Sequence, residues 1–193
     1  MHVLEAICSR RSIARLVEPA PDEADLRTIL KAAACAPDHG KLRPFRFTVL
    51  RGEHADAFGA VLEDAYRARC RDRGTEVVPA KAAKERSKLR RAPLVVVVSA
   101  LRPAEESPIP WTEQLAACAA ACQNALLAAT ALGYGSMWRT GEPCYDDRVK
   151  AALDLSPQDA VVAFLYLGTI PEGLRPRSAG EPHLDGLVRE WRA

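Results

Sequence analysis

The sequence has little net charge and few aromatic residues. Its 193 residues include 27 basic and 25 acidic side chains, which leave a formal charge of +2, and aromatic residues make up 6% of the chain. Proteins that bind nucleic acid take much of their affinity from an excess of cations, and many add aromatic side chains that stack on bases. The charge balance therefore argues against such a protein. Residues 81–91 form a basic run, for which a solvated helix face is the favoured interpretation.

A long apolar run of the kind that crosses a membrane is also missing. The nearest candidate, LAACAAACQNALLAATALGYG at 115–135, is alanine-rich and is interrupted by Gln123 and Asn124. A membrane-spanning helix needs about 20 predominantly apolar residues. Hydrophobic residues nevertheless make up 48% of the chain, which suffices for a sizeable core. We expect a soluble protein with a single domain over residues 1–193.

The six cysteines come without an extracellular signal. They are Cys8, Cys35, Cys70, Cys118, Cys122 and Cys144. In that setting free thiols in a reducing compartment are more common than disulfides, so the expected location is the cytoplasm. Cys118 and Cys122 lie four residues apart on a predicted helix, but no histidine or carboxylate stands beside them at ligand spacing. We expect no metal site.

Arg10 and Arg11 form a twin arginine within SRRSIARL at 9–16. An export signal of that type continues into an apolar stretch, whereas the residues that follow here, VEPAPDEADL at 17–26, carry four acidic side chains. The export interpretation fails because of these charges. Two alternatives stay open at this point: a solvated helix end, and a site in which guanidinium groups and the Ser12 hydroxyl bind a phosphate.

Hydrophobic periodicity and helix-stop signals predict an α+β fold. The alanine-rich segment Trp111–Leu132 predicts a buried helix that ends at Gly133. Continuous apolar runs predict interior strands at 94–99 and 160–171. Further predicted elements are helices near 3–10, 22–36, 53–73 and 146–153 and a strand within 43–52. This order predicts helices packed around a small mixed or antiparallel sheet of three or four strands.

Three junctions between elements carry more polar side chains than packing requires. They are RRS at 10–12, APDHGKLRPF at 36–45 and GSMWRTGEP at 135–143, and functional residues concentrate in such connections. In the last of these, Trp138 and Arg139 lie between glycines, where the backbone can approach a flat ligand closely. Each stretch alone also fits a simpler interpretation, as a surface histidine at His39 or an anchoring tryptophan. Only in combination do the three stretches indicate a functional site.

Taken together, these stretches resemble the nitroreductase family of flavin mononucleotide (FMN) enzymes, most closely its small YdjA-type branch. The resemblance runs nearly from end to end. It is carried, in order, by RRSIARLVEPAP at 10–21, CAPDH at 35–39, RPFRF at 43–47, RAPLVVVV at 91–98, GYGSMWRTG at 133–141 and VVAFLYLGTIP at 161–171. It implies a nitroreductase-like α+β fold and an intertwined homodimer with FMN at the subunit interface.

The resemblance also implies roles for single residues. Arg10 and Ser12 would bind the flavin phosphate, and Arg11 would lie against the ribityl chain or the ring edge. His39 would reach the flavin bound chiefly by the other subunit, and residues 138–140 would line the same cofactor. The implied cofactor-binding residues are Arg10, Arg11, Ser12, His39, Trp138, Arg139 and Thr140.

The activity implied by the resemblance is that of an FMN-dependent NAD(P)H oxidoreductase. NADH or NADPH would pass hydride to flavin N5, and the reduced flavin would reduce a nitroaromatic, a quinone or a similar electron-poor acceptor in a ping-pong cycle. Because the flavin carries the chemistry, no catalytic residue is assigned. Two positions depart from the family pattern: Ala14 stands where many members carry a cation near flavin N1, and Lys41–Phe45 replaces an Asn-x-Gln-Pro-Trp motif.

Other functions stay open. Enone reduction, dehalogenation and flavin fragmentation are reactions of the same scaffold. A flavin-binding or sensing protein with little turnover is favoured by Ala14, and a nucleic-acid-binding module that uses residues 81–91 is a third alternative. Arg175 and Arg177 resemble a phosphate contact of relatives and are not assigned to the site.

Overall fold

The computed structural model of the protein describes residues 1–103, 107–176, 180 and 182–191, so Arg177 lies outside the described residues. Within these residues the chain forms six α-helices and four β-strands. The helices are α1 (Val3–Ser9), α2 (Glu23–Ala34), α3 (Gly52–Asp72), α4 (Pro79–Arg86), α5 (Trp111–Ala131) and α6 (Asp147–Ala151). The strands are β1 (Phe45–Arg51), β2 (Leu94–Ala100), β3 (Gly135–Arg139) and β4 (Ala160–Gly168).

Helix ends follow from the local sequence. The Asp22 side chain accepts a hydrogen bond of 2.8 Å from the backbone N–H of Asp25 and so caps α2. After the C-terminal end of α5, Gly133 has φ +89°. This is a left-handed conformation that glycine adopts without strain. The predicted helix end is thus confirmed, and the chain turns there into β3.

The four strands form one antiparallel sheet in the order β1-β2-β4-β3. The predicted α+β fold is confirmed, and of the two predicted sheet types the antiparallel one is present. β3 was not among the predicted strands. Its sequence, GSMWR, is five residues long and begins with glycine and serine, so it lacks the apolar run that marked β2 and β4. It is an edge strand, where such a sequence is tolerated.

An extended segment after α1 lengthens the sheet beyond β3. Ser12 forms a parallel bridge with Ser136, and the Ile13 N–H donates to the Ser136 carbonyl at 3.0 Å. Val17 and Thr169 exchange backbone hydrogen bonds of 2.9 and 2.8 Å. The polar residues that follow α1 therefore lie beside β3, although more than one hundred residues separate them along the chain.

Helices cover the sheet on both sides. One side, which we call the α5 face, packs Leu94, Val96, Val98, Leu165 and Leu167 against α2 and α5. The other side, the α3 face, packs Val95, Val97, Phe164 and Tyr166 against α3, the 3₁₀ turn Lys88–Arg91 and α6. Successive strand residues point to opposite faces, so each strand contributes to both cores.

The basic run at 81–91 lies on two short elements, α4 and the turn at Lys88–Arg91. Its side chains form ion pairs: Arg86 with Glu63 at 3.4 Å, Arg90 with Asp56 at 2.7 Å, and Lys88 with Glu85. Much of the positive charge is thus neutralised at the surface. Over the described part of the chain, no helix combines the length and the apolar character needed to cross a membrane.

Candidate functional site

The twin arginine lies at the end of α1, and its two side chains differ in their contacts. Arg11 Nη1 donates to the carbonyls of Cys8 at 2.6 Å and Arg10 at 2.8 Å, so this guanidinium caps the end of α1. The Arg10 guanidinium has no ion pair or hydrogen bond within residues 1–103 and 107–176. Arg10 is half-buried and Ser12 is exposed. The structure therefore leaves a cation and a hydroxyl, two residues apart in the chain, available to an anion.

Ser136 adds a third polar group to this place. Its Oγ is buried and has no hydrogen-bond partner among the described residues, and the residue as a whole is 1% exposed. A buried hydroxyl without a partner is unfavourable, and this one belongs to the residue bridged to Ser12. Sequence reasoning did not select Ser136. Its position in the polar stretch GSMWRTG was a signal that could have identified it. Its burial depends on β3, which the sequence did not predict.

His39 lies apart from this cluster within one chain. It begins a 3₁₀ turn before β1, and its Nδ1 lies 2.6 Å from Oε2 of Glu113 in the first turn of α5. Ser12 and Ser136 lie beside β3, which follows the other end of α5. A helix of 21 residues is about 30 Å long. The structure thus separates His39 from Arg10 and Ser12 by much of the length of α5.

Trp138 and Arg139 are neighbours in β3 and point to opposite faces. Trp138 packs with the α5-face core. The Arg139 guanidinium lies 6.0 Å from the centre of the Tyr166 ring and 3.5 Å from the Met137 sulfur, on the α3 face. Thr140 is exposed after the strand ends. One flat ligand on the α5 face could contact the Trp138 side chain, but it would meet Arg139 only through its backbone.

Tyr166 lies in the cationic part of the α3 face. Burial raises the pKa of its hydroxyl to about 12, although the charges of Arg139 and Arg91 act in the opposite direction. The phenol is therefore neutral at physiological pH. Its hydroxyl donates to the Lys88 carbonyl at 3.3 Å, which ties β4 to the turn at Lys88–Arg91.

Most of the positions that depart from the family pattern are exposed, whereas Pro44 is buried and Phe45 is half-buried. Ala14 lies at the surface, and so does Arg15, one of two candidates to supply the missing cation. Arg139, the other candidate, faces away from the α5 face. Lys41 and Arg43 have φ values of +57° and +48°, and the Arg43 N–H donates to the Asp38 carboxylate at 2.6 Å. This turn keeps its shape through local bonds.

The cysteines are free thiols, as expected. Cys118 and Cys122 are buried on α5, and burial raises the pKa of each thiol to about 12. Thiols with such pKa values are poor metal ligands and poor nucleophiles at neutral pH. Among the described residues, no three histidine, cysteine, aspartate or glutamate side chains come together as a metal site requires.

These features define a class of protein: an α+β domain whose N-terminal segment brings a free arginine and two hydroxyls to the edge of an antiparallel sheet. The Nitroreductase family profile matches residues 7–169. The chain belongs to the nitroreductase family. It is 38% identical over 170 residues, 88% of each chain, to YdjA of Escherichia coli K12, which is named as a candidate NAD(P)H nitroreductase.

Solved structures agree with this assignment. A nitroreductase of Bacteroides fragilis with bound FMN superimposes with a TM-score of 0.73 at 26% identity and covers 100% of both chains. A candidate nitroreductase of Desulfovibrio desulfuricans in complex with FMN gives a TM-score of 0.71 at 29% identity, covering 99% of this chain and 97% of the other. The nitroreductase-like fold expected from the sequence is thereby confirmed.

Proposed function

We propose that this chain is an FMN-dependent NAD(P)H oxidoreductase that reduces nitroaromatics, quinones or similar electron-poor acceptors, with residues 1–193 forming one FMN-binding domain. The observation that carries the proposal is the Arg10 guanidinium, which has no hydrogen bond or ion pair within residues 1–103 and 107–176, two residues before the exposed Ser12 in the segment bridged to Ser136. An arginine and hydroxyl groups are the donors that suit a phosphate. The FMN-bound relatives support flavin as the molecule that carries it. Free thiols in all six cysteines support a reducing cytoplasm.

The proposed site assigns a task to each side chain. Arg10 and Ser12 hold the phosphate, and Arg11 fixes the turn by its bonds to the end of α1. The backbone of Ser136 holds Ser12 beside β3 through the bridge between them, and residues 138–140 border the ring, with Trp138 excluding water on the α5 face. When bound, FMN supplies hydride transfer through N5, from NADH or NADPH to the acceptor. The protein contributes binding, orientation and electrostatics, without a catalytic acid or base.

The proposed active form is a homodimer with FMN at the interface. His39 and the phosphate residues lie near opposite ends of α5, so His39 is suited to complete the site of a partner subunit. Exposed apolar side chains support a second copy: Leu4 is 62% exposed, Leu187 76% and Trp191 86%. Large apolar side chains left in water commonly mark an interface.

The first test is the visible absorption spectrum of the purified protein, before and after addition of NADH or NADPH without oxygen. The expected result is a yellow protein that bleaches. Arg10→Ala is expected to lose flavin, and Arg71→Ala, which removes an exposed arginine from α3, is expected to retain it. A colourless wild-type protein that refuses added FMN would refute the proposal, as would equal flavin content in the two variants.

The shared site is tested by mixing two variants. If His39 acts across the interface, an Arg10→Ala subunit paired with a His39→Ala subunit yields one doubly defective site and one intact site. Flavin binding should therefore reappear in the mixture at one site per mixed dimer. If His39 acts within its own chain, both sites stay defective and mixing restores nothing.

A second function, flavin binding with little turnover, is favoured by one observation. Ala14 has no charge, and the Arg139 guanidinium lies on the α3 face. Neither residue therefore supplies a cation beside the proposed ring site. Cations near N1 ease flavin reduction. A yellow protein that neither nicotinamide bleaches would support this second function, whereas rapid bleaching followed by acceptor turnover would support the first.

A further inference from the structure

A cavity of about 200 Å³ opens on the α3 face, behind β3. Its inner wall is apolar and aromatic, formed by the buried side chains of Leu62, Phe164 and Tyr166. Its mouth carries three cations, Lys84, Arg91 and Arg139. An apolar wall with a few convergent charged groups is the usual construction of a small-molecule site.

The positive charge at this mouth is not neutralised. Lys88 and Glu85 also line the cavity, but they pair with each other. Lys84, Arg91 and Arg139 have no carboxylate partner within residues 1–103 and 107–176. Elsewhere on the same surface, neighbouring basic residues such as Arg86 and Arg90 do have acidic partners. A surplus of cations therefore faces the cavity.

Two of these cations converge on the same wall. Arg139 lies 6.0 Å from the centre of the Tyr166 ring. Arg91 lines the same cavity as Arg139 and Tyr166. Its charge opposes the raised pKa of the Tyr166 hydroxyl, whereas the charge of Glu85 adds to it. Both guanidinium groups are half-buried, and partly desolvated guanidinium groups bind carboxylates more strongly than fully exposed ones.

We propose that this cavity binds a small aromatic carboxylate, with its ring against Phe164 and Tyr166 and its carboxylate between Arg91 and Arg139. The volume is below that of pockets for drug-sized ligands, which suits a single ring. The aromatic wall favours a ring over a bare inorganic anion. This site goes beyond the proposed flavin chemistry, because Trp138 and the neighbouring hydroxyl of Ser136 lie on the α5 face of the same strand.

Titration calorimetry of benzoate into the purified protein, with its flavin bound, tests the proposal. The matched variants are Arg91→Gln and Arg90→Gln. Arg90 is the neighbouring residue, its side chain is 65% exposed, and it pairs with Asp56 at 2.7 Å outside the cavity. The Arg91 carbonyl, which accepts a hydrogen bond from Leu16 N–H at 2.7 Å, is kept in the variant.

We expect one benzoate per chain in the wild type and in Arg90→Gln, and binding weaker by about ten- to a hundredfold in Arg91→Gln. Benzamide, which keeps the ring and lacks the charge, should bind the wild type at least about tenfold more weakly. Because it uses only the wild-type protein, this comparison tests the need for the carboxylate even if Arg91→Gln does not fold. Absence of binding, equal affinity for benzamide, or undiminished binding by a folded Arg91→Gln would overturn the proposal. Phosphate binding as tight as that of benzoate would overturn the aromatic ligand class.

Discussion

The two faces of the sheet differ in the size and charge of the side chains that cover them, although the same strands contribute to both. On the α5 face, alanine and cysteine side chains of α5, such as Ala121, Cys122 and Ala125, pack against aliphatic strand residues, and no charged side chain of the described residues is buried among them. On the α3 face, the core borders the buried pair of Arg69 and Asp146 and the cationic cavity at Tyr166. Small side chains allow α2 and α5 to approach closely, whereas the ion pair of Arg69 and Asp146 connects α3 to the start of α6.

This difference shows how one strand can serve two sites. β3 directs Trp138 to the α5 face and Arg139 to the α3 face. Because successive strand residues alternate, a single edge strand borders the proposed flavin site on one side and the cationic cavity on the other. Changes on the α3 face should therefore alter stability or anion binding, and changes at the sheet edge should alter flavin binding.

The largest effect is expected from the buried ion pair of the α3 face. Arg69 and Asp146 are 11% and 2% exposed in their side chains, and Asp146 also caps α6 by accepting from the Arg148 N–H at 2.9 Å. Arg69→Met removes the buried guanidinium and leaves the carboxylate only the Arg148 N–H and, at 4.0 Å, the exposed Arg148 guanidinium. We expect the free energy of unfolding to fall by about 3–5 kcal/mol, measured by urea denaturation.

The control for this variant is on the same helix. Arg73 pairs with Glu142 at 2.7 Å, but the two side chains are 61% and 54% exposed, and exposed pairs contribute little to stability. Arg73→Met should leave the urea midpoint nearly unchanged. Equal losses in the two variants would contradict the view that burial of the pair, rather than its charge alone, holds α3 to α6.

A smaller effect is expected at Gly135, where the two faces meet the N-terminal segment. A Cβ atom at this residue would lie 2.4 Å from Leu16 Cδ2 and 2.8 Å from Ile170 Cγ1. Gly135→Ala should therefore cost about 1–3 kcal/mol by overpacking. Displacement of the segment after α1 should also weaken flavin binding through Arg10 and Ser12, which flavin release on dialysis measures.

Gly133→Ala separates backbone strain from crowding. Gly133 has φ +89°, and among the described residues no atom beyond its chain neighbours lies within 4 Å of an added Cβ. Alanine would therefore be strained there without displacing the N-terminal segment. Its flavin retention should match that of the wild type. If it loses flavin as readily as Gly135→Ala, then general destabilisation explains the loss and the close packing at Gly135 does not.

Much of this arrangement could be predicted from local sequence, and the part that could not depends on β3. The apolar runs of β2 and β4 and the small residues and end signal of α5 are strong local patterns. GSMWR has no such pattern, because an edge strand needs neither a continuous apolar run nor strict alternation. Because β3 has no such pattern, the sequence does not show that Trp138 and Arg139 point to opposite faces, or that the Ser136 hydroxyl is buried.

The smallest effect we predict comes from a thiol of the α5 face. Burial raises the pKa of Cys122 from 9.0 to about 12. The folded protein therefore keeps this thiol protonated where the unfolded chain would ionise it. The associated stability is fully present below pH 9, and it is lost as the pH rises from 9 towards 12. From pH 8 to pH 10 the wild type should lose about 1.4 kcal/mol through this group.

Cys122→Ala should lack this part of the pH dependence, whatever its stability at neutral pH. The quantity to compare is the change in unfolding free energy between pH 8 and pH 10, since lysines and tyrosines titrate equally in all variants. Cys35 is exposed, so Cys35→Ala should keep the full wild-type loss. If the slopes of the two variants coincide, water reaches Cys122 in the folded state, and the α5 face is not the dry core that distinguishes it from the α3 face.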